Sequence, residues 1–210
     1  MVSGRGSNLQ ALIDAIADGG LRDASLVGVF SDRPDAPALQ RVDPSLRWSI
    51  DAGAYALREA FDAELANAVQ AVRPDWIVCA GYMRILSSGF VQRFHGRLLN
   101  IHPSLLPKYR GLHTHRRAIQ AGDREHGASV HFVIPELDAG AVIAQARIAI
   151  EAHDTPETLA ARLLPSEHRL LTAVLGLCVA GRLTEHENTA MLDGHPLFTP
   201  LRLDCDGLTH

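Results

Sequence analysis

Two hydrophobic spacings alternate along most of this chain. Leu9, Leu12, Ile13 and Ile16 fall three and four residues apart, on one face of a helix that Ser7 or Asn8 can cap. Tyr55 to Val72 repeats that period through Phe61, Leu65, Ala68, Val69 and Val72. Ser25 to Phe30 and Asp75 to Ala80 are instead short, β-branched and nearly all apolar, as strands covered on both faces should be. Leu98 and Leu99 read as the end of another buried strand, and Gly127 to Val133 and Ala141 to Ile150 as later ones. A long helix is expected from near Asp154, where Glu157 three residues on completes a capping box, to a stop at Gly181.

This order predicts an α/β fold: a single-domain, open, mainly parallel Rossmann-like sheet with helices on both faces. In such a sheet, ligands sit beyond the carboxyl ends of the strands. No linker, repeat or low-complexity tract divides residues 1–210, so one domain is expected, with a loosely ordered C-terminal tail.

Composition narrows the function classes. With 47% hydrophobic and 21% charged residues, the chain can build one sizeable core. A net charge of −4 without a basic stripe argues against nucleic acid as a partner, because phosphate backbones need clustered Lys and Arg. No apolar run approaches the roughly 20 residues of a membrane span, and no signal-peptide pattern is present. Cys79, Cys178 and Cys205 are scattered and odd in number, which fits free thiols in a reducing cytoplasm.

The densest chemistry lies in Asn100-Ile101-His102-Pro103-Ser104-Leu105-Leu106-Pro107. Strand alternation puts the side chains of Asn100 and His102 on one side of the backbone, and Pro103 then ends the ladder. An amide that can hold a developing oxyanion beside an imidazole that can move a proton is the minimum equipment for acyl transfer. Asn-x-His alone is a weak signal, since short motifs recur by chance. Gly4-Arg5-Gly6-Ser7-Asn8 before a helix can bring backbone N–H groups to a phosphate. It lacks the third glycine of the dinucleotide fingerprint and the lysine of a P-loop. Asp138 lies in a loop eased by Gly140, where carboxylates are usually solvated. His113 and His115 could share a face, but no Cys pair or Glu-x-x-His completes a metal set, so no metal is expected. With His131 they read as a polar network around the site.

Several segments together are similar to the folate-dependent formyltransferases, in the branch serving purine synthesis. They are Ser3 to Gln10, Ala80 to Leu86, Gly96 to Pro107, Gly111 to His115, Gly127 to Val133, Glu136 to Gly140 and Glu167-His168. The resemblance implies formyl transfer from 10-formyltetrahydrofolate, as co-substrate, to the amine of glycinamide ribonucleotide. It implies catalytic roles for Asn100, His102 and Asp138, the carboxylate raising the imidazole pKa and fixing its orientation. The folate would meet Arg58, Met83, Arg84, Ile85, Leu86, Asn100, Ile134, Pro135, Glu136, Leu137 and Asp138. The acceptor would meet Gly6, Ser7, Asn8, Leu164, Pro165, Ser166 and Glu167, the last on the ribose hydroxyls. Ala139 stands where the family has glycine, which predicts a slightly stiffer loop. Only Met1 and Val2 precede Ser3, where the family's first strand carries several apolar residues; a truncated strand or an upstream start is expected. Competing readings are the transfer-RNA formyltransferases, with an added C-terminal domain and basic face, and the deformylases, with an added N-terminal domain. A non-catalytic nucleotide-binding module would not need Asn100, His102 and Asp138 together. The protein is expected to act as a monomer or homodimer on small molecules in the cytoplasm, without a membrane partner.

Overall fold

A computed structural model describes residues 1–210. Helix α1 (Ser7–Ala17) leads to strands β1 (Val29–Ser31) and β2 (Arg47–Ser49), then α2 (Arg58–Ala71) and β3 (Ile77–Cys79). Next come α3 (Ser88–Arg93), β4 (Leu98–His102), α4 (Thr114–Gln120), β5 (Glu125–Phe132), β6 (Val142–Ala149) and α5 (Pro156–Val179). The chain ends in β7 (Leu183–His186), β8 (Thr189–Leu192), β9 (His195–Pro196), β10 (Leu201–Leu203) and β11 (Leu208–Thr209).

The central sheet runs in the order β11-β10-β6-β5-β4-β3. Within it, β3 and β4 pair in parallel, β5 is antiparallel to both β4 and β6, and β10 is parallel to β6. All its strands except β5 and β11 therefore run one way, which makes the expected α/β sheet mainly parallel in direction. Met1 and Val2 stitch β1 to β3: Val2 N–H donates to Phe30 C=O at 2.9 Å, and Ala80 N–H donates to Met1 C=O at 2.9 Å. Beneath this seam a largely apolar cavity of about 480 Å³ lies between residues 24–30 and 74–78, against Leu9, Leu12 and Leu175.

Alternation along β4 sorts its side chains between two cores. Leu99 and Ile101 pack into a cluster with Val130, Ile143, Leu163, Leu171 and Val174, under α1 and α5. Leu98 faces Phe61, Leu65, Phe90 and Phe94 of α2 and α3. Asn100 and His102 share the Leu98 side, in accord with the period of two. Pro165 inside α5 removes a helix hydrogen bond at a cost of about 3 kcal/mol. Fully buried Leu159, Leu163, Leu170 and Leu171 each return about 1.5–3 kcal/mol, so burial keeps the helix continuous through the proline.

Local expectations fail where tertiary contacts decide. The cap of α1 is Gly6 in a left-handed conformation, φ 75°, with no side-chain cap from Ser7 or Asn8. Residues 25–28 are not strand, because only Val29–Ser31 finds a partner, in β2. Asp51 caps a separate short 3-10 turn, Ala52–Ala54, so the following helix starts at Arg58 and not at Tyr55. The capping box of α5 is Thr155 with Thr158; Asp154 instead accepts from Glu151 N–H and pairs with Arg162. Where a loosely ordered tail was expected, residues after Gly181 form a β7-β8-β9 sheet and the two edge strands β10 and β11, with Leu183 and Leu201 buried.

Candidate active site

Three loops converge at β4. The register pairs Asn100 with His131 and His102 with Ser129, so the antiparallel β5 brings a second imidazole beside the amide. The β5–β6 turn then carries Asp138 back to this pair. Gly140 permits that turn, since a Cβ there would lie 1.9 Å from the carbonyl oxygen of Phe132. Asp138 itself is left-handed, φ 48°, a conformation of modest energetic cost that clusters at functional sites. Ala139 is not left-handed, so alanine fits where the family's glycine was expected.

The carboxylate of Asp138 is held from several sides. Gly111 N–H donates to Oδ2 at 2.8 Å, and His102 Nδ1 stands 3.5 Å from the same oxygen. Asn100 Nδ2 and His131 Nε2 approach Oδ1 at 3.5 and 3.6 Å. Burial alone would raise the Asp138 pKa, but the neighbouring His131, the Gly111 N–H and the nearby His102 outweigh it, leaving the group below its ordinary value. Asp138 is therefore ionised at neutral pH.

His102 is 6% exposed, and its Nε2 lies 2.9 Å from the carbonyl of Tyr109. A carbonyl only accepts, so Nε2 carries a proton and Nδ1 faces the carboxylate. Two acceptors favour the charged ring, whereas burial disfavours it; burial is the larger effect and the pKa falls below its ordinary value despite Tyr109 and Asp138. Asp138 raises the imidazole pKa, as expected, but not enough to offset lost hydration, so the net position of His102 is low. His131 Nδ1 lies 2.7 Å from Phe132 C=O and so donates there, leaving Nε2 to accept from Asn100 Nδ2 at 3.1 Å. The second Nδ2 hydrogen of Asn100 has only the long contact to Asp138, and can turn to a ligand oxygen.

The expected folate residues include several exposed apolar side chains. Met83, Ile85 and Leu137 are 64%, 49% and 44% exposed, joined by Leu112 at 68%, while Leu86 is buried. Exposed side chains of this size mark a binding surface when they gather around one cleft. Ile134 is half-buried, Pro135 is exposed, and Glu136 pairs with Arg110 at 2.8 Å. Arg84 turns its guanidinium to within 5.2 Å of the centre of the Phe61 ring. Arg58 is exposed and pairs with Glu59 at 3.2 Å; no hydrogen bond or ion pair joins it to the other expected residues.

The expected acceptor residues meet across α1 and α5. Asn8 Nδ2 donates to Glu167 Oε2 at 3.2 Å, although 159 positions separate them. Burial raises the Glu167 pKa and the Asn8 bond only partly counters it. Asn8 Oδ1 and His168 Nε2 are buried without protein partners. Gly6 and Ser7 lie at the start of α1, and Leu164, Pro165 and Ser166 occupy the turn of α5 before Glu167. Ser3 ties its own loop to that of Met83: its hydroxyl donates to Asp32 Oδ1 at 2.6 Å and accepts from Met83 N–H at 2.9 Å.

His115 does not join His113 in a metal set. It pairs with His126, Nδ1 to Nε2 at 2.9 Å, while His113 is the left-handed cap of α4. Sequence reasoning missed Ser3, Tyr109, Gly111 and His126. Three of them act through backbone groups or contacts distant in sequence, which no local motif announces; Ser3 was visible only as the first residue of the Gly loop.

Known proteins resemble this chain over most of its length. The formyl transferase family model matches residues 1–175. The phosphoribosylglycinamide formyltransferase of Escherichia coli K12 is 48% identical over 199 residues, covering 94% of this chain and 93% of its own. That of Haemophilus influenzae is 42% identical over 203 residues, with 94% and 93% covered. The solved phosphoribosylglycinamide formyltransferase of Coxiella burnetii superposes with a TM-score of 0.86 at 46% identity, over 93% of this chain and 92% of that one. With the family model spanning most of its length and relatives this similar end to end, the chain belongs to the formyl transferase family.

Proposed function

We propose that this protein transfers the formyl group of 10-formyltetrahydrofolate to the amine of phosphoribosylglycinamide, yielding formylglycinamide ribonucleotide and tetrahydrofolate for purine synthesis. The names of its relatives support the substrates. The observation that carries the chemistry is the single carboxylate, Asp138, set within 3.5 Å of both Asn100 and His102.

The neutral amine attacks the formyl carbon, and negative charge develops on the formyl oxygen. Asn100 Nδ2 donates to that oxygen from a fixed strand position, so little reorganisation is needed as the charge grows. His102 starts neutral. The nearby oxyanion raises the ring's affinity for a proton, and the ring takes up the one the amine gives up. The imidazolium is then held by Asp138 at Nδ1 and by Tyr109 C=O at Nε2, its charge beside the oxyanion. A charge pair that exists only near the transition state lowers the barrier without tightening the ground state. Collapse returns the oxygen to a carbonyl and breaks the bond to the folate nitrogen, which receives the proton. The exposed apolar side chains of Met83, Ile85, Leu112 and Leu137 suit the flat pteridine. Gly6 to Asn8 suit the acceptor phosphate: among protein groups, the backbone N–H groups of Gly4 to Leu9 donate to none.

No helix is long and apolar enough to cross a membrane. A cytoplasmic setting is supported by three free cysteines, two of them buried and with thiol pKa values pushed up to about 11 and about 12. The test is tetrahydrofolate release from 10-formyltetrahydrofolate, followed by absorbance, with phosphoribosylglycinamide, with glycine and with neither. Turnover with the ribonucleotide alone supports the assignment; equal turnover in its absence would make the protein a hydrolase.

A further inference from the structure

We infer that Arg41 is a positioning residue that holds the Gly4–Asn8 loop in its anion-accepting form and so sets affinity for the acceptor's phosphate. The inference rests on reading that loop as the phosphate cradle. Such a cradle needs its N–H groups free and its carbonyl oxygens turned away, because a carbonyl facing a phosphate repels it. Here the three carbonyls that precede helix α1 are all taken. Gly4 C=O accepts from Ala38 N–H at 3.0 Å, Gly6 C=O from Gln10 N–H at 2.9 Å, and Arg5 C=O from Arg41 Nε at 2.8 Å.

Arg5 is the vulnerable position. Glycines on both sides leave its flanking peptides free to rotate, which would exchange N–H for C=O at the cradle. Gly4 and Gly6 are fixed by backbone partners, whereas Arg5 depends on one side chain. That side chain is itself oriented: Arg41 Nη1 donates to Gln10 Oε1 at 2.9 Å, and Gln10 Nε2 donates to Asp14 Oδ1 at 2.8 Å. The chain Asp14-Gln10-Arg41 thus fixes the guanidinium plane. Arg41 also ends the short 3-10 turn Pro37–Arg41, which presses on the loop so closely that a Cβ at Gly6 would lie 2.6 Å from that of Ala38. Lysine carries the same charge but cannot span Arg5 C=O and Gln10 Oε1 with a planar fork.

The test is steady-state kinetics of wild type, Arg41→Ala and Arg41→Lys with phosphoribosylglycinamide and with its dephosphorylated riboside. Both variants should raise KM for the phosphorylated acceptor about tenfold or more, the range for losing a charged hydrogen bond. KM for the riboside and for the folate, and kcat, should stay within about twofold, since uniform binding alone is lost. Wild-type behaviour of Arg41→Lys would overturn the inference in favour of simple charge attraction. Equal losses with both acceptors would overturn it in favour of a general structural role. A wild type that does not distinguish the two acceptors would overturn the cradle reading itself.

Discussion

The backbone N–H of Gly111 donates to the carboxylate of Asp138 at 2.8 Å, across 27 positions of sequence. The loop that follows β4 therefore holds the carboxylate that faces His102 of that strand. Neither element is positioned alone. Tyr109, two residues before Gly111 and left-handed at φ 57°, accepts from the same histidine's other nitrogen.

Removing members of this arrangement should cost turnover more than binding. His102→Ala and Asn100→Ala are expected to lower kcat about 100- to 1000-fold, the range for losing a proton-transfer group or an oxyanion donor. Asp138→Asn keeps an acceptor for Gly111 and should still lose a comparable factor, because the imidazolium has no counter-charge. Near-normal kcat in all three variants, with folding confirmed by circular dichroism, would exclude the mechanism.

The protonation of His102 can be read directly. NMR titration of the free protein should place its pKa below the ordinary 6.5, because burial outweighs Tyr109 and Asp138. In Asp138→Asn the value should fall further, since the carboxylate was raising it. An unchanged or higher value in the variant would show that Asp138 does not act electrostatically on the ring.

Glu167 sets acceptor binding against stability. Its folded pKa is raised above 4.5 by burial, so its contribution is complete below pH 4.5 and declines as pH rises through the folded value. At pH 7.5 an ionised carboxylate is buried at net cost. Glu167→Gln should therefore melt higher at pH 7.5, by about 2–4 °C per kcal/mol recovered, and lose the advantage near pH 4.5. Its KM for the ribonucleotide should rise. A variant that melts no higher at pH 7.5 would contradict the burial cost.

Much of the site was legible because it sits in contiguous motifs: alternation alone placed Asn100 and His102 on one face of β4. The strand direction was not legible. Nothing in Gly127 to Val133 says that β5 runs antiparallel, yet that direction sets His131 against Asn100. The electrostatic balance at His102 was misjudged for a related reason. A neighbouring carboxylate can be read from a motif, but desolvation depends on how the following loop, which brings Tyr109 C=O to Nε2, closes over the ring. Arg41 and Ser3 act through partners 36 and 80 residues away, a distance no spacing rule spans.

His126 gives the fold an acid limit. Burial and the neighbouring His115 push its pKa down to about 4. A histidine with a depressed folded pKa leaves stability intact above the unfolded value, near 6.5, and withdraws it as pH falls towards the folded one. Between those values the loss amounts to about 3 kcal/mol. Urea melts at pH 7, 5.5 and 4.5 should show this decline in wild type, and a shallower one in His126→Gln. Parallel declines would mean that other groups govern acid unfolding.

The central claim is a formyl transfer that requires the amine of a phosphorylated acceptor and the His102–Asp138 pair. Single-turnover mixing of excess enzyme with 10-formyltetrahydrofolate, with and without phosphoribosylglycinamide, tests it most directly. Wild type should release tetrahydrofolate and form formylglycinamide ribonucleotide in equal amounts only when the acceptor is present, and Asp138→Asn should do so at least about 100-fold more slowly. Formate appearing without the acceptor, or an undiminished rate in Asp138→Asn, would contradict it.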